Sequence, residues 1–198
     1  MNKDNTQQKM GEAKYLAFDT ETGGLISGVA LLTSHFLVLD NDLKVLDELE
    51  LTTKPNNGHY VIAPEALEVN KINLIEHHKI SETYESAGQK LVIFLAKNKG
   101  RYRLTPLGKN VDFDCVKITE TLVSREIWDN FVGFCKYDIS AVIFFLKRTK
   151  KLPMYAPESL QKIAEFLGIE GHIAHTAKSD NYTGIEVIKK LEALCRDK

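Results

Sequence analysis

Apolar runs and chain-breaking residues alternate along this sequence in a way that marks out its elements. Tyr15 to Thr20 is a compact apolar run closed by Thr22-Gly23-Gly24, the pattern of a buried strand ended by a turn. His35 to Leu39 and Leu43 to Thr53 favour strands, and Asp40-Asn41-Asp42 between them predicts a hairpin. Pro55 to Gly58 reads as a loop, and Pro64-Glu65-Ala66-Leu67 opens a short helix. Ser81 to Lys97 has a longer helical period, with Ala87, Leu91, Phe94 and Leu95 on one face and Asn98-Lys99-Gly100 as its stop. Arg103 to Leu107 is a further strand, although Pro106 weakens the pattern, and Val111 to Leu122 is helical again. Ser159 starts a helix that runs through Leu167 and stops at Gly168. A last helix begins near Thr176, with Asp180, Thr183, Val187, Leu191 and Leu194 on one stripe. Strands first, then strands and helices in turn, predict an α/β domain with a mixed sheet.

At 198 residues the chain has room for one domain with a sizeable core. Residues 1–12 read as a disordered polar leader, without the apolar core of a signal peptide, and residues 13–198 as a single domain. A hydrophobic fraction of 43% and a charged fraction of 27% are those of an ordinary globular protein. The formal net charge of -1 gives no overall attraction to nucleic acid, which argues against a non-specific binding module built on many basic contacts. Cys115, Cys135 and Cys195 are too scattered for a disulfide framework or a zinc ribbon, so a cytoplasmic setting is expected. Ala141 to Leu146 is far too short to cross a membrane.

Four carboxylates and a histidine stand out from this background. Asp19 and Glu21 are two apart at a strand end, so they leave the same face of the sheet and repel each other unless a cation lies between them. Hard ions such as Mg²⁺ take oxygen ligands of this kind. Alone, an Asp-x-Glu pair is more often a solvated edge; the apolar strand before it points to a central position instead, with its carboxyl end where α/β sheets bind ligands. Asp180 shares the inward stripe of the last helix, where a carboxylate is costly unless paired or metal-bound. Asp112 and Asp114 both fall in the first turn of a helix, where the macrodipole favours either, and His172 competes with His175 ahead of the last helix. Physical reasoning alone leaves both choices open.

Taken together, three segments resemble the DEDDh family of 3′–5′ exonucleases. Asp19-Thr20-Glu21-Thr22-Gly23-Gly24-Leu25 resembles the family's Asp-x-Glu-Thr motif, Asn110 to Asp114 its Asn-x-x-Phe-Asp motif, and His175 to Asp180 its His-x-Ala-x-x-Asp motif. The resemblance selects Asp114 over Asp112 and His175 over His172. It spans Tyr15 to about Leu194, with Ser159 to Ile169 similar to the helix before the third motif. Gly23 departs from the pattern where many members carry a second Thr, and Lys109 where many carry His.

The resemblance implies an RNase H-like fold with a central mixed five-stranded sheet flanked by helices. It implies two divalent ions, Mg²⁺ or Mn²⁺, with Asp19 shared between them, Glu21 and Asp180 on one, and Asp114 supporting the other. It gives His175 the role of general base, and Thr22, Leu25 and Asn110 the pocket for a terminal nucleotide. The implied partner is a 3′ end of DNA or RNA. A non-catalytic nucleic-acid-binding or polymerase-associated module with the same fold is the alternative. Ala141 to Leu146 fits either a core or a homodimer surface, and association with a polymerase is open. Arg101-Tyr102-Arg103 and the Lys147-Arg148, Lys150-Lys151 cluster are candidate strand contacts, though such runs are commonly solvated faces.

Overall fold

The alternation of side chains along β1 (Tyr15–Thr22) sets the layout of the whole chain. Leu16 and Phe18 turn into one hydrophobic core and Ala17 into another on the opposite face, so β1 is buried from both sides. The computed structural model describes residues 14–170 and 176–196. β1 pairs antiparallel with β2 (Leu31–Leu39), and β2 with β3 (Val45–Lys54). On its other edge β1 pairs parallel with β5 (Thr105–Gly108), giving the mixed sheet expected.

The sheet has six strands instead of five, in the order β4-β3-β2-β1-β5-β6. Its two edge strands, β4 (Glu82–Thr83) and β6 (Tyr137–Asp138), are two residues long, too short for a period-two pattern to mark them in the sequence. Pro106 is tolerated in an inner strand for a positional reason. It lies opposite Leu16 on the β1 side, whereas β6 pairs only with Leu107 and Gly108. At the hairpin, Asp40 Oδ1 accepts the amides of Asp42 and Lys44 at 3.0 and 2.9 Å.

One face is covered by α3 (Tyr84–Asn98), α4 (Val111–Thr121) and α5 (Arg125–Phe131), whose Leu91, Ile118 and Trp128 meet Leu16, Phe18 and Phe36. Trp128 packs edge-on to Phe18 with ring centroids 5.4 Å apart. The other face is covered by α6 (Ile139–Arg148), α7 (Leu160–Phe166) and α8 (Ala177–Arg196), whose Ile143, Ile163, Val187 and Leu191 meet Ala17, Leu37 and Leu39. Ala141 to Leu146 thus belongs to the core through Ile143 and Leu146, while Phe144 and Phe145 face outward. Two further helices, α1 (Pro64–Asn70) and α2 (Leu74–Ile80), lie between β3 and β4. The second was not expected, although Asn73 caps it by accepting the amides of Ile75 and Glu76. No helix among the described residues is long and apolar enough to cross a membrane.

Asp138 ties the elements that follow β5 together. Its carboxylate accepts the amide of Val111 at 3.1 Å and that of Ser140 at 2.7 Å, so one side chain caps the starts of both α4 and α6. α3 meets the C-terminal end of α4 so closely that a Cβ on Gly88 would lie 2.1 Å from the Leu122 carbonyl oxygen. Because backbone, unlike a side-chain tip, cannot swing aside, Gly88→Ala should destabilise the protein by about 1–3 kcal/mol or more. Urea unfolding of the purified variant measures this; an unchanged midpoint would contradict the close approach.

Candidate active site

The carboxyl end of β1 carries the acidic cluster. Asp19 and Glu21 leave the face covered by α8, and the first turn of that helix brings Asp180 to them. Carboxylate oxygens of all three lie within 4.8 Å of one another. Ligands held at about 2.0–2.1 Å on opposite sides of a Mg²⁺ are roughly 4.2 Å apart, so a small side-chain adjustment would let all three share one ion. The donor set, oxygen alone and anionic, fits a hard divalent cation.

Asp114 stands beside this trio without joining it. It is buried in the first turn of α4, and its Oδ1 accepts the hydroxyl of Thr20 at 2.6 Å. Thr20 lies between Asp19 and Glu21 and faces the other way, so β1 reaches α8 with two side chains and α4 with the one between them. Thr20 was missed in the sequence, where only the outer residues of Asp-Thr-Glu were read; strand alternation was the signal that pointed to it. Asp112, the rival of Asp114, is exposed and pairs with Lys136. His175 and His172 lie outside the described residues. Thr176, next in sequence, accepts the amide of Ser179 on its hydroxyl and that of Asp180 on its carbonyl, which starts α8.

Crowding governs the electrostatics. Burial, and then the charges of Asp114, Asp180 and Glu21, hold the carboxyl of Asp19 well above the usual carboxylate range. Burial and Asp180 push Glu21 up to about 7. Burial pushes Asp114 up to about 7 as well, against the Thr20 hydrogen bond that favours its charged form. Carboxyl groups this reluctant to ionise form a site that a cation would stabilise.

Behind the cluster is a buried polar chain. Asn181 donates to the carbonyl of Ala17 at 3.2 Å and meets His35 Nδ1 at 3.1 Å, and His35 Nε2 reaches Glu48 Oε1 at 2.8 Å. Burial lowers the pKa of His35, against the pull of Glu48. Lys178 and His35 together hold Glu48 down to about 2. A histidine inside Ser34-His35-Phe36-Leu37 reads as an ordinary strand residue, so the sequence held no signal for this chain.

A cleft of about 590 Å³ opens beside Glu21, lined mostly by apolar groups that include Thr22, Leu25, Ala63, Val69 and Phe113. Thr22 and Leu25 therefore border it; Thr22 is buried with its hydroxyl on the Gly24 carbonyl, and Leu25 is 85% exposed. Asn110 lies apart from this cleft, in the left-handed region at φ 55° with its side chain near Lys109 and Ser140. The departure at Gly23 has a steric cause. A Cβ there would come 2.8 Å from the Val61 carbonyl oxygen and 2.9 Å from the Ile62 side chain, so the approach of these two residues leaves no room for a threonine. Lys109 joins Asp19 and Asp180 around a second, small hollow. Lys147 is not a free contact for a strand, since it is buried and paired with Glu158 at 2.8 Å.

An α/β fold with a mixed sheet and a carboxylate cluster at the end of its central strand defines the class. No protein-family model and no curated protein matches the chain in sequence. Solved structures do match. An exonuclease I structure superposes with a TM-score of 0.74 at 18% identity, over 91% of this chain and 41% of that one. The zinc-ion-bound form of the E. coli exonuclease I–single-stranded DNA complex gives 0.75 at 19%, over 92% and 41%. Exonuclease I from Methylocaldum szegediense gives 0.72 at 16%, over 91% and 40%. The expected resemblance is thus borne out in the fold, which this chain shares with exonuclease I. This chain spans about two fifths of the length of these proteins.

The crowded carboxylates set a pH dependence. With folded values above the ordinary 3.8 to 4.5, they bind protons more tightly folded than unfolded, so they subtract stability as the pH rises through that range towards 7. In chelator-treated protein, Asp19→Asn should therefore be more stable than the wild type at pH 8, by about 0.5–2 kcal/mol. The difference should shrink towards pH 5. Denaturant unfolding at both pH values checks it, and a variant less stable than the wild type at pH 8 would reverse the sign.

Proposed function

We propose that residues 13–198 form a 3′–5′ exonuclease domain that hydrolyses phosphodiester bonds at the 3′ end of a nucleic acid. The convergence of Asp19, Glu21 and Asp180 at the end of β1, with Asp114 alongside, carries this reading. The fold shared with exonuclease I supports it. Single-stranded DNA is the substrate class favoured by the exonuclease I complexes, and three cysteines without disulfide bonds suit a cytoplasmic setting.

Two divalent ions, Mg²⁺ or Mn²⁺, would supply charge to the entering and leaving oxygens of an in-line displacement. Asp19 would hold both, Glu21 and Asp180 one, and Asp114, oriented by Thr20, the other. His175, five residues before Asp180, would take the proton of the attacking water. An unperturbed histidine, with a pKa of about 6.5, suits that task near neutrality. The apolar cleft bordered by Thr22 and Leu25 would take the terminal base and exclude water from its face. Asn110 would act from the other side, through the loop that it shares with Lys109.

A 5′-end-labelled oligonucleotide with a free 3′ end tests the reading. Digestion should proceed from the 3′ end, stop on chelation, and return with Mg²⁺ or Mn²⁺. Asp19→Ala and Asp180→Ala should each reduce it more than about 100-fold, beyond what loss of an outer-shell partner costs. Full metal-dependent digestion by both variants would overturn the proposal. Metal-insensitive binding without digestion by the wild type would favour a non-catalytic module instead.

A further inference from the structure

Asp180 belongs to a different element from Asp19 and Glu21, so something must hold α8 against β1 where the two present like charges. The neighbouring residue does this. Asn181 is buried, and its side-chain amide points into the sheet. It donates to the Ala17 carbonyl, two residues before Asp19, and to the carbonyl of His35, each at 3.2 Å. It also meets His35 Nδ1 at 3.1 Å. His35 is the residue directly opposite Asp19 on β2.

The support continues behind His35. The Glu48 carboxylate can only accept, so the ring proton lies on Nε2 and is donated to Glu48 Oε1 at 2.8 Å, which leaves Nδ1 without a proton on the Asn181 side. Glu48 then grips α8 from outside, taking Lys178 Nζ at 2.6 Å and the Tyr182 hydroxyl at 3.1 Å. Lys178 and Tyr182 are one helical turn apart and bracket Asp180 and Asn181. The start of α8 is thus fixed to all three long strands, at Ala17 on β1, His35 on β2 and Glu48 on β3.

We propose that Asn181, backed by His35 and Glu48, is a positioning residue that sets the separation of the Asp180 carboxylate from Asp19 and Glu21, and so the divalent-cation affinity of the site. This rests on the reading of those three carboxylates as cation ligands. Without the Asn181 anchor the first turn of α8 can move off β1, and the Asp180 carboxylate has to be brought back before it can serve as the third ligand. Outer-shell supports of this kind are worth about 10- to 100-fold in affinity.

Calorimetric titration of Mn²⁺ into protein free of nucleic acid tests this directly. Asn181→Ala should weaken binding about 10- to 100-fold, and digestion should recover to within a few-fold of wild type at saturating Mn²⁺. Asp180→Asn should not recover at any concentration. Ile188→Val, which thins the packing of the same helix deeper in the core, should lower the melting temperature while leaving Mn²⁺ affinity within about twofold. Should Asn181→Ala not fold, Asn181→Ser, with a donor on a shorter arm, is expected to weaken Mn²⁺ binding in the same direction. Unchanged affinity in the folded variant, or an equal loss in Ile188→Val, overturns the positioning role and leaves the ligand reading standing. A wild type that binds no Mn²⁺ overturns both.

Discussion

The repulsion among carboxyl groups at the end of β1 is the constraint that the rest of the architecture answers. Asp19, Glu21 and Asp180 present oxygens within 4.8 Å of one another, and buried Asp114 adds a fourth carboxyl nearby. Their shared burial and mutual charges raise the pKa values of Asp19 and Glu21, and the charges push the groups apart. Separation is resisted by elements that are rigid for other reasons: a strand buried on both faces, a helix packed along its length, and a second helix capped from a distance by Asp138. Stability is given up locally and recovered in the two cores, an arrangement common at binding sites.

The two faces of the sheet divide the work. The α8 face is polar at its upper end, where Asn181, His35 and Glu48 lie beneath the carboxylates, and apolar below, where Val187 and Leu191 pack on Leu37 and Leu39. The α4 face is apolar almost to the top, where Thr20 and Asp114 form one short hydrogen bond. A buried polar chain is costly unless it is satisfied, and this one is satisfied through to solvent at Glu48 and Lys178. A neutral His35 with its proton on Nε2 adds no further charge beneath the acids.

Much of this was legible in the residues. The strand from Tyr15, which runs on to Thr22, the buried face of α3 and the inward stripe of α8 follow from hydrophobic period, the hairpin at Asp40 to Asp42 follows from its turn residues, and each is present. The order of Asp19, Glu21, Asp114 and Asp180 with their flanking residues pointed to one fold. What escaped notice did so for local reasons. The strands Glu82–Thr83 and Tyr137–Asp138 are held by their neighbours and leave no pattern of their own. The helices Leu74–Ile80 and Arg125–Phe131 are two turns long, so their caps at Asn73 and Ser124 are their main marks. Asn181 and His35 are 146 residues apart, and no local rule joins them.

Register links these observations. Successive residues of β1 serve opposite faces, so Asp19 and Glu21 reach α8 only while Thr20 reaches Asp114. A slip of one residue would exchange them, sending two carboxylates into the core around Phe18 and Trp128. Pairing with β2 is regular from Tyr15 to Glu21 and breaks between Glu21 and Thr22. The irregularity falls one residue after the last carboxylate, where the chain must leave the sheet and turn through Gly23 and Gly24 into the cleft wall. Bulges bend a strand and end its pairing without disturbing the ladder behind them. Here that separates two demands made on adjacent residues: Glu21 has to be held by the ladder, and Thr22 has to follow the cleft. The amide of Ala63, which lines the cleft, donates to the Gly23 carbonyl at 2.7 Å, so the cleft wall is tied to the chain directly after the ladder.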